Sequence, residues 1–194
     1  AANLPVVKSL QIKNLDDLSS LFKNDDTKYV MKILSSDIQH KTEVGGVILE
    51  IKNIDQAREA FKKIHKNVNE KAPKAIIDGV MISPMIKGGI ECILGAKIDP
   101  VFGPIVMFGL GGIYTEVMKD ISFAEAPVSF EKAEKMILSL KSKDVFFGTR
   151  GQPSVDIKSL ITAIVNLSNL IAANFDRIDQ VEMNPILVLS LIHI

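Results

Sequence analysis

Apolar residues along this chain recur with two different periods. Between Asn53 and Val68, the residues Ile54, Ala57, Ala60, Phe61, Ile64 and Val68 return at three- and four-residue steps, which gathers them on one face of an α-helix. Shorter apolar runs bounded by turn residues predict strands at Tyr29–Leu34, Val47–Ile51, Ala75–Ile82 and Ile90–Ile98. An apolar stretch at Ile105–Phe108 is broken by Gly109-Leu110-Gly111-Gly112, and Ile113–Lys119 with Ser122–Ala126 reads as a strand pair. Val181–Leu189 is a last strand. Leu15–Phe22 predicts a short helix with Asn14 as its cap. Ser129 caps a helix running to about Leu140, and Ser154 or Asp156 starts another with Ile157, Leu160, Ile161, Ile164 and Ile171 on its apolar face. Helices and consecutive strands mix without regular alternation, which predicts an α+β fold with helices packed on antiparallel or mixed sheets. A join near Ala72-Pro73-Lys74 divides the chain into subdomains 1–73 and 74–194.

Composition narrows the function. The 194 residues are 47% hydrophobic, enough to bury the core of one domain or of two joined subdomains. Lys+Arg and Asp+Glu both number 23, so no overall field draws in nucleic acid or an anionic membrane. Trp is absent and aromatics are 6%, so platforms for stacking bases are scarce. Cys92 is the single cysteine, which excludes an internal disulfide, gives no zinc spacing and is consistent with a reducing cytoplasm. No apolar stretch is long enough to span a membrane, and no signal peptide is visible. The opening Ala1-Ala2-Asn3-Leu4-Pro5 lacks an initiator Met and leads us to expect a fragment of a longer protein.

Several polar residues sit where chemistry could use them. Lys32 lies in the apolar strand Tyr29-Val30-Met31-Lys32-Ile33 and needs either an anionic acceptor, such as a nucleotide phosphate, or an edge position from which to reach water. His40-Lys41-Thr42 leads into Gly45-Gly46, whose amides could approach an anion while the imidazole accepts a phosphoryl group; a plain hairpin turn fits as well. Glu182 and Asn184, two apart on a strand, share a face as hard oxygen ligands suited to Mg²⁺, or else face water at a strand end. Glu91 could anchor a ribose, a metal or a lysine. Gly109, Gly111 and Gly112 suit close approach of a ligand or another chain, as glycine-rich loops do in general. Arg150 between glycines reads as an ordinary loop arginine, His65 as a residue on the polar side of a helix, His193 as part of an uninformative tail, and Cys92 as core.

The order of these segments is more specific than any one of them. Val30-Met31-Lys32-Ile33, then His40-Lys41-Thr42-x-x-Gly45-Gly46, then Asp99-Pro100-x-Phe102-Gly103-Pro104 through Gly109-x-Gly111-Gly112, then Glu182-x-Asn184-Pro185 resembles the ATP-grasp domain of ADP-forming acyl-CoA synthetases, over roughly Leu4–Leu189. The resemblance implies two α+β subdomains clasping a nucleotide. It implies that Lys32 contacts phosphate and adenine, that Ser83–Ile86 hold adenine and ribose with Glu91 at their end, and that Glu182 and Asn184 meet Mg²⁺. It implies that His40 is a phosphohistidine on a mobile loop, with Lys41 and the amides of Gly45 and Gly46 offsetting phosphoryl charge. Gly109–Gly112 would lie near an α subunit or fused CoA-binding region, without which the acid–thiol ligase is incomplete. Family members begin with a helical segment ahead of Leu4 and continue, past the segment matching Asn184-Pro185, to an Asp that completes the metal site. Here the chain closes on Leu191-Ile192-His193-Ile194, a tail that looks foreign or truncated.

Two other readings compete. One is the synthetase-like module of a protein lysine acetyltransferase, regulatory rather than catalytic. The other is a succinate–CoA ligase β subunit, against which the His40-Lys41-Thr42 loop argues, since that family resembles Gly-Arg-Gly there.

Overall fold

A computed structural model describes residues 3–20, 22, 27–111, 120–148 and 153–190. The chain divides into two compact units, Val6–Lys87 and Gly88–Ile194, the latter joined by Ala1–Pro5.

The first unit is built on a four-stranded antiparallel sheet, ordered β1-β4-β2-β3 from β1 (Leu10–Ile12), β2 (Tyr29–Leu34), β3 (Val47–Ile51) and β4 (Gly79–Pro84). Alternation along β2 sends Tyr29, Met31 and Ile33 into the core beside Ile12, Ile51, Val80 and Ile82. Helix α1 (Ile54–Lys71) covers that face with Ala57, Ala60, Ile64 and Val68, as its periodicity requires. Asn53 caps it, its side chain accepting from the Gln56 amide at 2.9 Å. The helix runs past the expected Val68 because the Ala72 amide still reaches the Val68 carbonyl at 2.7 Å, and Pro73 follows.

Several expectations change here. Leu15–Ser20 is a 3₁₀ turn, not an α-helix. Its cap is the Asp17 carboxylate, which accepts the amides of Lys13 and Asn14 at 3.0 Å each and is thereby held below the usual carboxylate range; Asn14 supplies only backbone. The strand expected from Ala75 begins at Gly79, since the Ile76 amide turns aside to the Asp37 carboxylate at 2.8 Å. β4 bonds both β1 and β2, so the chain leaves the first unit after Lys87, later than the join expected near Ala72–Lys74.

The second unit repeats the plan with a sheet ordered β7-β6-β5-β8, from β5 (Ile90–Asp99), β6 (Gly103–Leu110), β7 (Ile121–Glu125) and β8 (Gln180–Val188). Cys92, Leu94 and Ala96 of β5 with Val106 and Phe108 of β6 pack against α2 (Phe130–Leu138) and α3 (Ile157–Ala173). Burial pushes the Cys92 thiol up to about 12, which leaves it an unreactive core residue. Ser129 caps α2 and Asp156, not Ser154, caps α3, accepting from the amides of Lys132 at 3.1 Å and Ser159 at 3.0 Å. Gly109 continues β6 instead of breaking it. The strand expected at 113–119 lies outside the described residues. Among those described, no helix is long and apolar enough to cross a membrane. The expected α+β class is what the chain adopts.

Candidate functional site

The first unit gathers Lys32, Ser83 and the His40 turn around one sheet. Lys32 stands on the β2 face opposite α1, between Val47 of β3 and Met81 of β4 in register. It is half-buried and has no side-chain partner among the described residues. A cation with its stem against apolar neighbours and no counter-charge suits an incoming anion. Ser83 pairs with Val30 in the ladder, one step diagonally from Lys32, and is 9% exposed. Ile86 lies just past the strand and is more open.

The residues after His40 form a turn closed by its own backbone. The Glu43 amide donates to the His40 carbonyl at 3.2 Å, Gly45 to Thr42 at 3.0 Å and Gly46 to Lys41 at 2.8 Å. The glycine amides expected to cradle an anion are therefore engaged inside the turn. The glycines answer a different demand, close approach of protein to protein. Gly45 has φ +67°, and a Cβ there would lie 2.6 Å from Asn67 Nδ2; a Cβ on Gly46 would lie 2.6 Å from Ile33 Cγ2. The Gly46 carbonyl accepts from the Ile33 amide at 2.8 Å, which fastens the turn to the strand carrying Lys32. His40 itself is exposed at the mouth of this turn.

A feature beside it was invisible in the sequence. β3 carries one extra residue between its partners to Tyr29 and Met31, a β-bulge where Glu50 takes φ +62°. Glu50 forms an ion pair with Lys28, which holds its carboxyl below the usual range, and its amide approaches Met85 Sδ at 3.2 Å. A bulge with a non-glycine residue in the left-handed region leaves no periodicity to read.

In the second unit Glu182 and Asn184 are neighbours as expected, Asn184 Nδ2 donating to Glu182 Oε1 at 3.2 Å, and both are exposed. β8 bulges here, with Asn184 and Pro185 opposite the single residue Ile93. Glu182 pairs with Gly95, whose missing side chain opens a groove of about 320 Å³ lined also by Met107 and Phe123. The Asn184 donor bond leaves its amide oxygen free beside a carboxylate. Two hard oxygen donors, with phosphate oxygens and water for the rest, are what Mg²⁺ commonly takes, so the pair fits that ion. No group of three or more His, Cys, Asp or Glu side chains assembles a metal site among the described residues.

Glu91 is exposed at the start of β5, and its carbonyl accepts the Gly111 amide at 2.7 Å. A Cβ on Gly111 would meet the Glu91–Cys92 peptide at 2.9–3.0 Å, and one on Gly109 would meet the Asp120 carbonyl at 2.8 Å. These glycines fit the chain against itself. Gly112, Arg150 and His193 lie outside the described residues. His65 is half-buried, not on the polar side of α1: its ring lies 4.5 Å from Phe61, and burial lowers its pKa.

Known proteins resemble this chain along nearly its whole length. A family model described as an ATP-grasp domain matches residues 1–191. A 4-hydroxybutyrate–CoA ligase (ADP-forming) of Nitrosopumilus maritimus is 42% identical over 98% of this chain, which spans 27% of that protein's length. The β subunit of acetate–CoA ligase (ADP-forming) II of Pyrococcus furiosus is 35% identical over 97% of this chain and 80% of its own. A solved acetyl-coenzyme A synthetase 1 of Ca. Korarchaeum cryptofilum, in complex with coenzyme A and acetyl-coenzyme A and with a phosphorylated phosphohistidine segment, superposes with a TM-score of 0.87. It is 32% identical, over 96% of this chain and 81% of that one.

Proposed function

The chain belongs to the ATP-grasp domain family, alongside the β regions of ADP-forming acetate–CoA ligases, and on that premise we propose that it binds ATP or ADP and carries a phosphoryl group on His40. The observation that carries the reading is the exposed His40 imidazole on a turn fastened to the strand of the unpaired Lys32. The complete reaction is acyl-CoA + ADP + phosphate ⇌ acid + CoA + ATP, with the acid and CoA handled by an α subunit or fused region outside this chain.

A phosphoryl group moves only between atoms in contact, so two separated sites need a carrier. In the ATP-forming direction the N–P bond on His40 breaks as a terminal β-phosphate oxygen of ADP bonds to phosphorus. The electron pair returns to the imidazole nitrogen. Lys32 and Lys41 offset charge on the phosphoryl oxygens, a task that falls to side chains because the turn's glycine amides are engaged. Ser83, Ile86 and Glu91 serve the adenine and ribose. Glu182 and Asn184 would hold Mg²⁺, which when bound neutralises phosphate charge. Both lysines are half-buried, so their stems rest on protein while their charged ends remain within reach of solvent.

The test is transfer of γ-labelled phosphate from ATP to the assembled synthetase. Acid-labile, base-stable label is expected on His40. A His40→Asn variant that labels as fast as the parent would overturn the proposal.

A further inference from the structure

We propose that Asn67 and Lys71 of α1 are positioning residues for His40, clamping the turn from which the imidazole is presented; this rests on the phosphoryl-carrier reading above. The two side chains are one helical turn apart and share a face. Asn67 Nδ2 donates to the Gly45 carbonyl at 3.0 Å and Lys71 Nζ to the Glu43 carbonyl at 3.0 Å.

The backbone bonds within the turn leave those two carbonyls to donors from outside it. The carbonyls of His40, Lys41 and Thr42 accept bonds within the turn, and that of Gly46 accepts from β2. The carbonyls of Glu43 and Gly45 point out of the turn, and α1 supplies a side-chain donor to each. Gly45 is glycine for the same reason, since any Cβ would displace the Asn67 amide. Val44 adds an apolar anchor by packing on the first unit's core.

On the other side of His40, Ile38 is 5% exposed in that core, and the Asp37 carboxylate holds the Ile76 amide at 2.8 Å. The His40 backbone is thus fixed at both ends, with only Gln39 between it and a buried residue. This differs from the mobile glycine-flanked loop that the sequence suggests. His40 works as a stationary post that receives the group by rotation of its own side chain.

The experiment uses the assembled synthetase, this chain with its CoA-handling region. Three quantities are read for each variant: the single-turnover rate of label transfer to His40 at saturating ATP, the ATP dissociation constant, and the thermal midpoint. Asn67→Asp keeps the shape but removes the donor. Lys71→Met keeps the stem at an exposed position. Each is expected to slow labelling of His40 about tenfold or more, since misplacement of a reacting group by 1 Å costs up to about 10²-fold. ATP affinity should stay within about twofold, because neither residue touches nucleotide in this account. Asn67→Gln, which restores a donor on a longer arm, should recover part of the rate. Native labelling rates in both Asn67→Asp and Lys71→Met would overturn the clamp. So would losses that track ATP affinity or thermal midpoint with no separate effect on transfer. If His40→Asn labels normally, the carrier reading fails, whatever the clamp variants do.

Discussion

Single residues on the first unit carry the most specific consequences. Gly45 combines φ +67° with an absent Cβ facing Asn67. Gly45→Ala should cost about 1–2 kcal/mol from the left-handed backbone alone, measured by urea unfolding, and should mimic loss of the Asn67 donor in transfer assays. Glu50 offers the opposite case. Its φ of +62° favours glycine, and its ion pair with Lys28 is exposed and weak. Glu50→Gly should raise the thermal midpoint, while Glu50→Ala, which keeps the strain and loses the pair, should not. His40, Lys32, Glu182 and Asn184 were visible in the sequence as candidates, because chemistry restricts residue type and spacing. Asn67, Lys71 and Glu50 were not, because their roles come from contacts with backbone brought together by folding.

At the scale of elements, apolar patterning located the α-helices among the described residues, and each described strand except β1 (Leu10–Ile12), to within a few residues; three residues are too short a run to show a period. The failures have local causes. Asp17 substitutes for the expected cap, Asp37 diverts the chain before β4, and Gly109 serves a close strand approach where a break was read. Asp120 shows how such a polar group can also tie elements together. Its buried carboxylate accepts the amides of Lys141 and Ser142 at 2.9 and 2.8 Å, fastening the start of β7 to the segment after α2. Burial acts to raise its pKa, but the bonds from Ser142 and Lys141 prevail and hold the acid below its ordinary value. The stabilisation is therefore full above the unfolded value near about pH 4 and lost as pH falls through the folded one. Asp120→Ala should cost about 1–3 kcal/mol at pH 7 by stranding two amide donors. The gap from the parent in denaturant unfolding should shrink below about pH 4.

For the whole molecule, two units of like plan each bring a different resource. The first holds the histidine turn and Lys32, the second the Glu182–Asn184 pair on a bulged strand. The division after Lys87 was hidden because Pro73 and the charged stretch around it look like a linker, while the pairing of β4 is non-local. Removing the Glu182 carboxylate tests the proposed Mg²⁺ role directly. Glu182→Ala should weaken Mg²⁺-dependent ADP binding by about tenfold or more in calorimetry, the scale of one charge-assisted contact, and leave metal-free binding little changed. The central claim is that phosphate passes through His40. It is tested most directly by rapid quench of the assembled synthetase charged with acyl-CoA and phosphate in the absence of ADP. The account predicts that phospho-His40 accumulates, and that on adding ADP it disappears at least as fast as turnover, with ATP formed in equal amount. Phospho-His40 that never forms, or that decays more slowly than ATP appears, would contradict it.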